Sequence, residues 1–477
     1  MTRVVLGGMY TAPGRWDNPN VLVDVTAVLY ASATLQPVVE AFSVPAFSTT
    51  AILSPAAPTA DQAAWSALTD PSIDTPADPQ ASRSLTVLET LATFSRAELA
   101  RWAADPAAVS QLLAAPPTAA QVSDWWASTD AGSQARLLDS APRVVGNLEG
   151  VPYPVRDIAN RSFLDDEVAS IESTLSAGTA GRAAAEQLRA QLHMLQQIEA
   201  AIAPGESALH RSLVNLDAED GGKAVIVVGD LARADYVTFL VPGMFYSVDS
   251  EIGSWADAAD QLAASEEDWL ARLTPAQHAG SRQTVATVAW IGYQTPTVVN
   301  VASLDLARQG RDALTSSLRG LETLRGDDAP YVSVLAHSYG ATAALLALQE
   351  NDITVDALAM VGSPGSPAGN VGALRVRDGN VWVADAELDP IASTGVFGSQ
   401  PLSDAYGAQH FGVDGAVDPI TGRALAGSVG HVDYFTKGSE SFRNMALIAI
   451  GQGELVIDPD GRTAALAGAT PVARALG

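Results

Sequence analysis

Residues 206–477 are predicted to fold as an α/β domain with a mainly parallel sheet, preceded by a largely helical region over residues 83–205. Two observations point to the sheet. Short β-rich runs recur from about Ala224: "KAVIVVGD", "YVTFLVPG", "TVATVAWIGY", "YVSVLAHSYG", "ALAMVGSPG" and "VWVADAELDP", most of them ending in Gly, Asp or Pro. Helical patterns such as "ASLDLARQGRDALTSSLRGLETLR" and "GATAALLALQE" lie between several of them. Strands alternating with helices imply βαβ units, and near-continuous apolar strands fit a sheet covered on both faces. The third observation concerns the region upstream, where "LTVLETLATFSRAELARWAADPAAVSQLLAAPP" spaces its apolar residues three and four apart.

Taken in chain order, residues 1–82 form an N-terminal segment and linker to which the sequence assigns no role. Its first 50 residues hold apolar runs, "VLVDVTAVLYA" and "VVEAFSVPAF", that read as strands. "SPAAPTADQAAWSALTDPSIDTPADPQAS" reads as a linker or long surface loop, because Pro, Asp, Ser and Ala dominate it. Ser95 before "RAEL" and Thr118 before "AAQVSDWW" are expected helix N-caps. Trp102, Trp125 and Trp126 are spaced for burial. A longer helical stretch over Phe163 to Ala203 is interrupted by glycine near "SAGTAGR". An amphipathic region of this kind must cover its apolar face. It is expected to pack on the sheet domain and help wall the substrate pocket.

Composition narrows the function. With 477 residues the chain exceeds one ordinary core, and a hydrophobic content of 47 % is ample for burial. The formal net charge of −27 argues against nucleic acid as a partner. The absence of cysteine excludes disulfides, thiolate catalysis and cysteine metal sites. No apolar run reaches the roughly 18 residues of a membrane helix, and no signal peptide is recognised, so a cytoplasmic location is expected. The sequence carries no signal for oligomeric state.

The stretch "YVSVLAHSYGATAALLAL" (Tyr331 to Leu348) carries the chemistry. "YVSVLA" reads as a strand and "YGATAALLALQE" as a helix, which puts Ser338 on the turn between them. That is the context of a nucleophile elbow, G-x-S-x-G, written here as Ala336-His337-Ser338-Tyr339-Gly340. The outer positions must be small because strand and helix approach closely, and Ala336 is a mild departure. The bend lifts the hydroxyl above the sheet and leaves the Tyr339 N–H at a helix N-terminus, where developing negative charge is favoured. A plain strand–helix turn with a capping serine is the alternative.

A serine hydroxyl needs a base, and the base a carboxylate, in the chain order Ser, acid, His. Two histidines follow Ser338. His431 in "AGSVGHVDYF" is preferred to His410 in "YGAQHFGVDG", because it comes last and precedes the apolar helix "SFRNMALIAIG". Asp389 in "ELDPIAS", beyond the strand "NVWVADA", is the preferred acid, ahead of Asp385 and then Glu387. The second oxyanion donor is expected from "YVTFLVPGMFYSVDS": Gly243 permits close backbone approach, and the N–H of Met244 is the candidate.

These pieces resemble the actinobacterial α/β-hydrolase family long catalogued only as a domain of unknown function. The resemblance rests on "RVVGNLEGVPYPVRDIANRSFL", "KAVIVVGDLARADYVTFLVPGMFYSVDS", "VSVLAHSYGATAA", "VGSPGSP", "VWVADAELDPIA" and "GHVDYF", over about residues 143–435. It implies an α/β-hydrolase fold with a helical segment ahead of it, Ser338 as nucleophile, Asp389 as acid and His431 as base. The family more usually has Gly where this chain has Ala336, and it implies no substrate. The "PGM" loop is similar to the oxyanion loop of common lipases and esterases. The expected activity is hydrolysis of a small-molecule carboxylic ester without metal or organic cofactor. The alternatives are an amidase or peptidase with the same triad, or an inactive hydrolase fold serving as a binding module.

Overall fold

The computed structural model describes residues 79–464, apart from 208, 220, 274–282, 298–299 and 393. The strands expected within residues 1–50, and most of the expected linker, lie outside the described residues. Among the described residues eight strands form one sheet, in the order β1-β2-β4-β3-β5-β6-β7-β8. They are β1 (Arg211–Asp217), β2 (Lys223–Gly229), β3 (Tyr236–Val241), β4 (Val285–Ile291), β5 (Tyr331–His337), β6 (Ala357–Val361), β7 (Val381–Ala384) and β8 (Gln409–His410). β2 runs antiparallel to both neighbours, and every later pairing is parallel. The six quoted runs are β2 to β7. Every residue of β4, β6 and β7 is buried, as the apolar runs require of a sheet with two covered faces.

The helical region holds α1 (Pro79–Thr93), α2 (Arg96–Ala103), α3 (Pro106–Ala114), α4 (Ala119–Ser128), α5 (Ala131–Ser140), α6 (Pro142–Asn147), α7 (Tyr153–Ala177) and α8 (Arg182–Ala201). Ser95 and Thr118 each close a capping box, with Glu98 and Gln121 as the reciprocal partners. Gly178 ends α7 in the left-handed conformation, φ 67°, which glycine adopts without a Cβ clash. Trp125 and Trp126 are buried, and Trp102 packs against them in a core that α1 to α6 largely make for themselves.

Four further helices flank the sheet: α9 (Val248–Leu273), α10 (Asp305–Arg325), α11 (Tyr339–Glu350) and α12 (Glu440–Ala449). One core joins α7, α8, α9 and α12 to one sheet face; the other joins α10 and α11 to the opposite face. Among the described residues no helix is long and apolar enough to cross a membrane.

Strand β1 was not legible as a strand, and its partners show why. It carries a bulge between Leu213 and Asn215, and polar side chains of the helical region tie it down. Asn147 Nδ2 donates to Leu216 O at 2.9 Å while its Oδ1 accepts from Leu216 N at 2.9 Å. Asp157 Oδ1 accepts from Leu213 N at 2.7 Å, and Asn160 Nδ2 donates to Leu213 O at 3.0 Å. These side chains occupy an edge that would otherwise expose unpaired backbone. The helical region therefore packs on the sheet domain, as expected. Its main contacts fall on β1, α9 and α10 rather than around Ser338. The sheet order places β1 four positions from β5.

Candidate active site

The site forms where β3, β5, β6 and β7 end. β5 stops at His337 and α11 starts at Tyr339, so Ser338 alone makes the turn, at φ 55° and ψ −128°. Non-glycine residues rarely hold positive φ, and here the fold enforces it: Ser338 N donates to Val361 O at 3.0 Å and Ser338 O accepts from Ala341 N at 2.9 Å. The side chain makes no capping bond to α11, which leaves Oγ for another partner. A Cβ at Gly340 would lie 2.4 Å from Pro242 O, so the last position of the elbow must be glycine. Ala336, at the first position, is buried and pairs with Val241 on one side and Met360 on the other.

Ser338 Oγ lies 2.7 Å from His431 Nε2, and His431 Nδ1 lies 2.9 Å and 3.0 Å from the two carboxylate oxygens of Asp389. Asp389 can only accept there, so Nδ1 carries the proton and Nε2 accepts from the serine. The Asp389 side chain is fully buried. Burial alone would raise its carboxyl; hydrogen bonding from His431, the His431 charge, and bonds from Tyr434 and the Ile391 N–H outweigh it and hold the group below the usual carboxylate range. Tyr434 OH accepts from Ala386 N at 2.9 Å and donates to Asp389 Oδ2. Gly362, at φ 61° just past β6, clears space for both side chains: a Cβ there would sit 2.8 Å from Asp389 Oδ2 and 2.9 Å from His431 Cε1.

Of the expected residues, Ser338, His431 and Asp389 thus come together, and the alternatives stand apart from this hydrogen-bond chain. His410 lies on β8 beside Val383 rather than in a loop. Asp385 is exposed, its carboxyl raised by partial burial and by Asp389 and Asp414. Glu387 is exposed, and its backbone O accepts from Gly430 N at 2.8 Å, which joins the acid loop to the histidine loop.

The expected oxyanion loop follows β3. A Cβ at Gly243 would meet Ser338 Cβ at 2.5 Å and Oγ at 3.0 Å, so this backbone lies against Ser338 and Met244 comes next. The loop is pinned from behind: Tyr293 OH donates to Pro242 O at 2.8 Å, Phe245 N to Pro296 O at 3.2 Å, and Thr295 Oγ1 to Tyr246 O at 3.1 Å. Tyr339 turns its hydroxyl away to accept from Ala307 N at 3.0 Å and donate to Ser303 O, so only its backbone faces the site end of α11.

Three residues at the site escaped sequence reasoning: Tyr434, Gly362 and His337. His337 is buried, and its Nε2 lies 2.6 Å from His431 O. A carbonyl only accepts, so Nε2 carries the proton. Burial, then the neighbouring His431, lower its pKa to about 3, so the ring is neutral. Its ring is surrounded by Tyr246, His431, Tyr434 and Phe435.

Residues 217–399 match a family model described as alpha/beta hydrolase. The chain is similar to the uncharacterized protein Rv2079 of Mycobacterium tuberculosis, 28 % identical over 390 residues, which are 70 % of this chain and 56 % of that protein. This chain thus spans little more than half the length of that relative. It is also similar to the uncharacterized protein Mb0988c of Mycobacterium bovis, 29 % identical over 216 residues, 44 % of this chain and 79 % of that one. Among solved structures, an arylesterase aligns at 14 % identity and TM-score 0.31, covering 61 % of this chain and 98 % of that one. A dienelactone hydrolase from Anabaena variabilis aligns at 12 % identity and TM-score 0.30, covering 51 % and 96 %. The mainly parallel sheet with its elbow at the end of β5, together with the match of residues 217–399 to the alpha/beta hydrolase model, gives this chain an α/β-hydrolase fold.

Proposed function

We infer that this protein is a serine hydrolase of carboxylic esters. The observation that carries the reading is the unbroken hydrogen-bond chain from Ser338 Oγ through His431 to Asp389, set at an elbow turn. In the proposed reaction His431 Nε2 takes the Ser338 proton as Oγ attacks the ester carbonyl. Asp389 holds the imidazole tautomer and stabilises the imidazolium. The N–H groups of Met244 and Tyr339 bind the oxyanion. His431 then protonates the departing alkoxide, and water cleaves the acyl-enzyme by the same steps. Residues 206–477 carry this chemistry, and residues 83–205 brace the first strand.

A fluorophosphonate probe tests the reading directly. It should label the wild-type protein and fail to label Ser338→Ala. A screen of esters of increasing acyl length, with the matching amides alongside, separates esterase from amidase action. A wild-type protein that resists the probe and cleaves no ester ends the proposal.

A further inference from the structure

Five of the large apolar side chains that the described fold leaves exposed stand on the loops that deliver the candidate site. Phe245, Leu388, Val396, Val429 and Val432 are between 47 % and 78 % exposed. Phe245 follows Met244 on the oxyanion loop. Leu388 precedes Asp389, and Val432 follows His431. Val429 joins the same group, because its segment bridges Glu387, the residue before Leu388. Val396 adjoins Phe397, whose ring packs edge-on against Tyr339 at 5.6 Å.

Two of these residues are held in an unusual way. Phe245 and Leu388 have φ of 68° and 66°, a region that bulky side chains avoid. The fold thus accepts backbone strain at two separate loops while leaving the side chains in solvent. Burial of those side chains within the chain does not account for it. Behind the rim the interior is aromatic: Phe435 packs on the buried Trp255 at 5.0 Å and on the buried His337 at 6.2 Å, and Tyr246 packs on both Trp255 and His337. Exposed large apolar side chains gathered on the loops of a candidate site mark a binding surface.

We propose that this rim docks on an uncharged or zwitterionic lipid surface, and that the substrate is a water-insoluble, uncharged ester drawn from that surface to Ser338. The inference rests on the ester-hydrolase reading for its substrate and on the rim for its surface. Charge selects the surface. With a formal net charge of −27 the chain is repelled by anionic lipid, whereas burial of apolar side chains in a neutral interface needs no counter-charge.

The test uses the full chain and vesicles of phosphatidylcholine, with phosphatidylglycerol vesicles in parallel. The variant is Leu388→Asn with Val432→Ser; asparagine tolerates the positive φ at 388. A second variant, Val396→Ser with Val429→Ser, repeats the test on the other rim positions. Ile158→Ser, an exposed apolar residue on α7, is the control. Wild type should float with phosphatidylcholine vesicles and less with phosphatidylglycerol. Each rim variant should lose at least about tenfold in partition coefficient, the effect of removing two apolar contacts, and the control should not change. Hydrolysis of p-nitrophenyl palmitate dispersed in the vesicles should fall in step, while turnover of soluble p-nitrophenyl acetate is kept. Wild type that fails to float, or rim variants that float equally well, would overturn the proposal. So would a wild-type dimer that the rim variants dissociate, since a second copy would then be the occupant. Fluorophosphonate labelling of the same samples reports on Ser338 separately, so failure of the surface and failure of the hydrolase reading are distinguishable.

Discussion

His337 donates its Nε2–H to the backbone carbonyl of His431 at 2.6 Å, so the residue before the candidate nucleophile holds the loop that carries the candidate base. Nothing else about His337 suits it to acid–base work. It is buried and neutral, and its Nδ1 has no hydrogen-bond partner. The bond fixes His431 relative to β5, and hence relative to Ser338. We expect His337→Leu to lower kcat by about ten- to a hundredfold with little change in KM, the effect of misplacing a base by a fraction of an ångström. His337→Gln retains a donor at similar reach and should recover much of the loss. Steady-state kinetics on both variants checks this, and equal activity in His337→Leu and wild type would remove the positioning role.

The assignment of roles is tested by contrast. Ser338→Ala, His431→Ala and Asp389→Asn should each lower kcat by roughly a thousandfold or more. His410→Ala and Asp385→Asn should change it less than about tenfold, because neither side chain enters the Ser338–His431–Asp389 chain. A greater sensitivity at His410 or Asp385 would reassign the triad within the same fold.

Tyr434 donates to Asp389 and is also held by Ala386 N, so it helps position the candidate acid. Tyr434→Phe removes one hydrogen bond to a buried carboxylate. The Asp389 pKa should rise, and the acid limb of the kcat/KM profile should move to higher pH, with a loss of about tenfold on the plateau. An unchanged pH profile would show that Tyr434 serves packing only.

The chain's apolar runs made six of the eight strands legible because parallel strands covered on both faces must be almost wholly apolar. The elbow was legible because its residue types are forced by contact: glycine at 340, and a serine between strand and helix. β1 was not, since its edge is satisfied by Asn147, Asp157 and Asn160, which are distant in sequence and polar. Tyr434 and Gly362 were hidden for a related reason. Each acts through Asp389 and His431, whose approach depends on three loops meeting, and no local pattern encodes that meeting. The helical region's apolar stripe announced that something must be covered but not what, and its main contacts fall on β1, α9 and α10.

Glu266 gives a pH prediction away from the site. It is fully buried on α9, with Oε1 3.0 Å from Thr238 Oγ1 and Oε2 3.2 Å from Thr287 Oγ1. Burial pushes its pKa up from 4.5 to about 8, against the two threonine bonds. A carboxyl whose folded value is raised contributes most below its unfolded value, and that contribution is lost as pH rises through the folded one. Stability should therefore decline between about pH 4.5 and 8 on this account. Glu266→Gln keeps the shape and cannot ionise, so it should melt several degrees above wild type at pH 8, and the gap should close toward pH 5. Thermal melts across that range check it; a gap that stays constant would mean Glu266 does not titrate in this window.

The last prediction concerns residues 83–205. Leu164 and Ile171 of α7 and Met194, Leu195 and Ile198 of α8 are buried in the same core as Leu213, Ile226 and Trp255 of the sheet domain. Burying a side chain of this size stabilises by about 1.5–3 kcal/mol, so these five together contribute on the order of 10 kcal/mol, as much as a typical domain's whole stability. The polar clamps on β1 would be lost with them, leaving its backbone groups unpaired. A chain beginning at Leu209 should therefore be insoluble or lack a cooperative melt. A chain beginning at Pro79 keeps α1 to α8 and should melt cooperatively. Because the helical region's main contacts fall on β1, α9 and α10, substitutions on its exposed faces should leave acyl-length preference unchanged. Two measurements decide the matter: thermal unfolding of both truncated chains, and the ester screen on the longer one. A soluble, cooperatively melting chain from Leu209 would show that the helices are a separate module and that the shared core is dispensable.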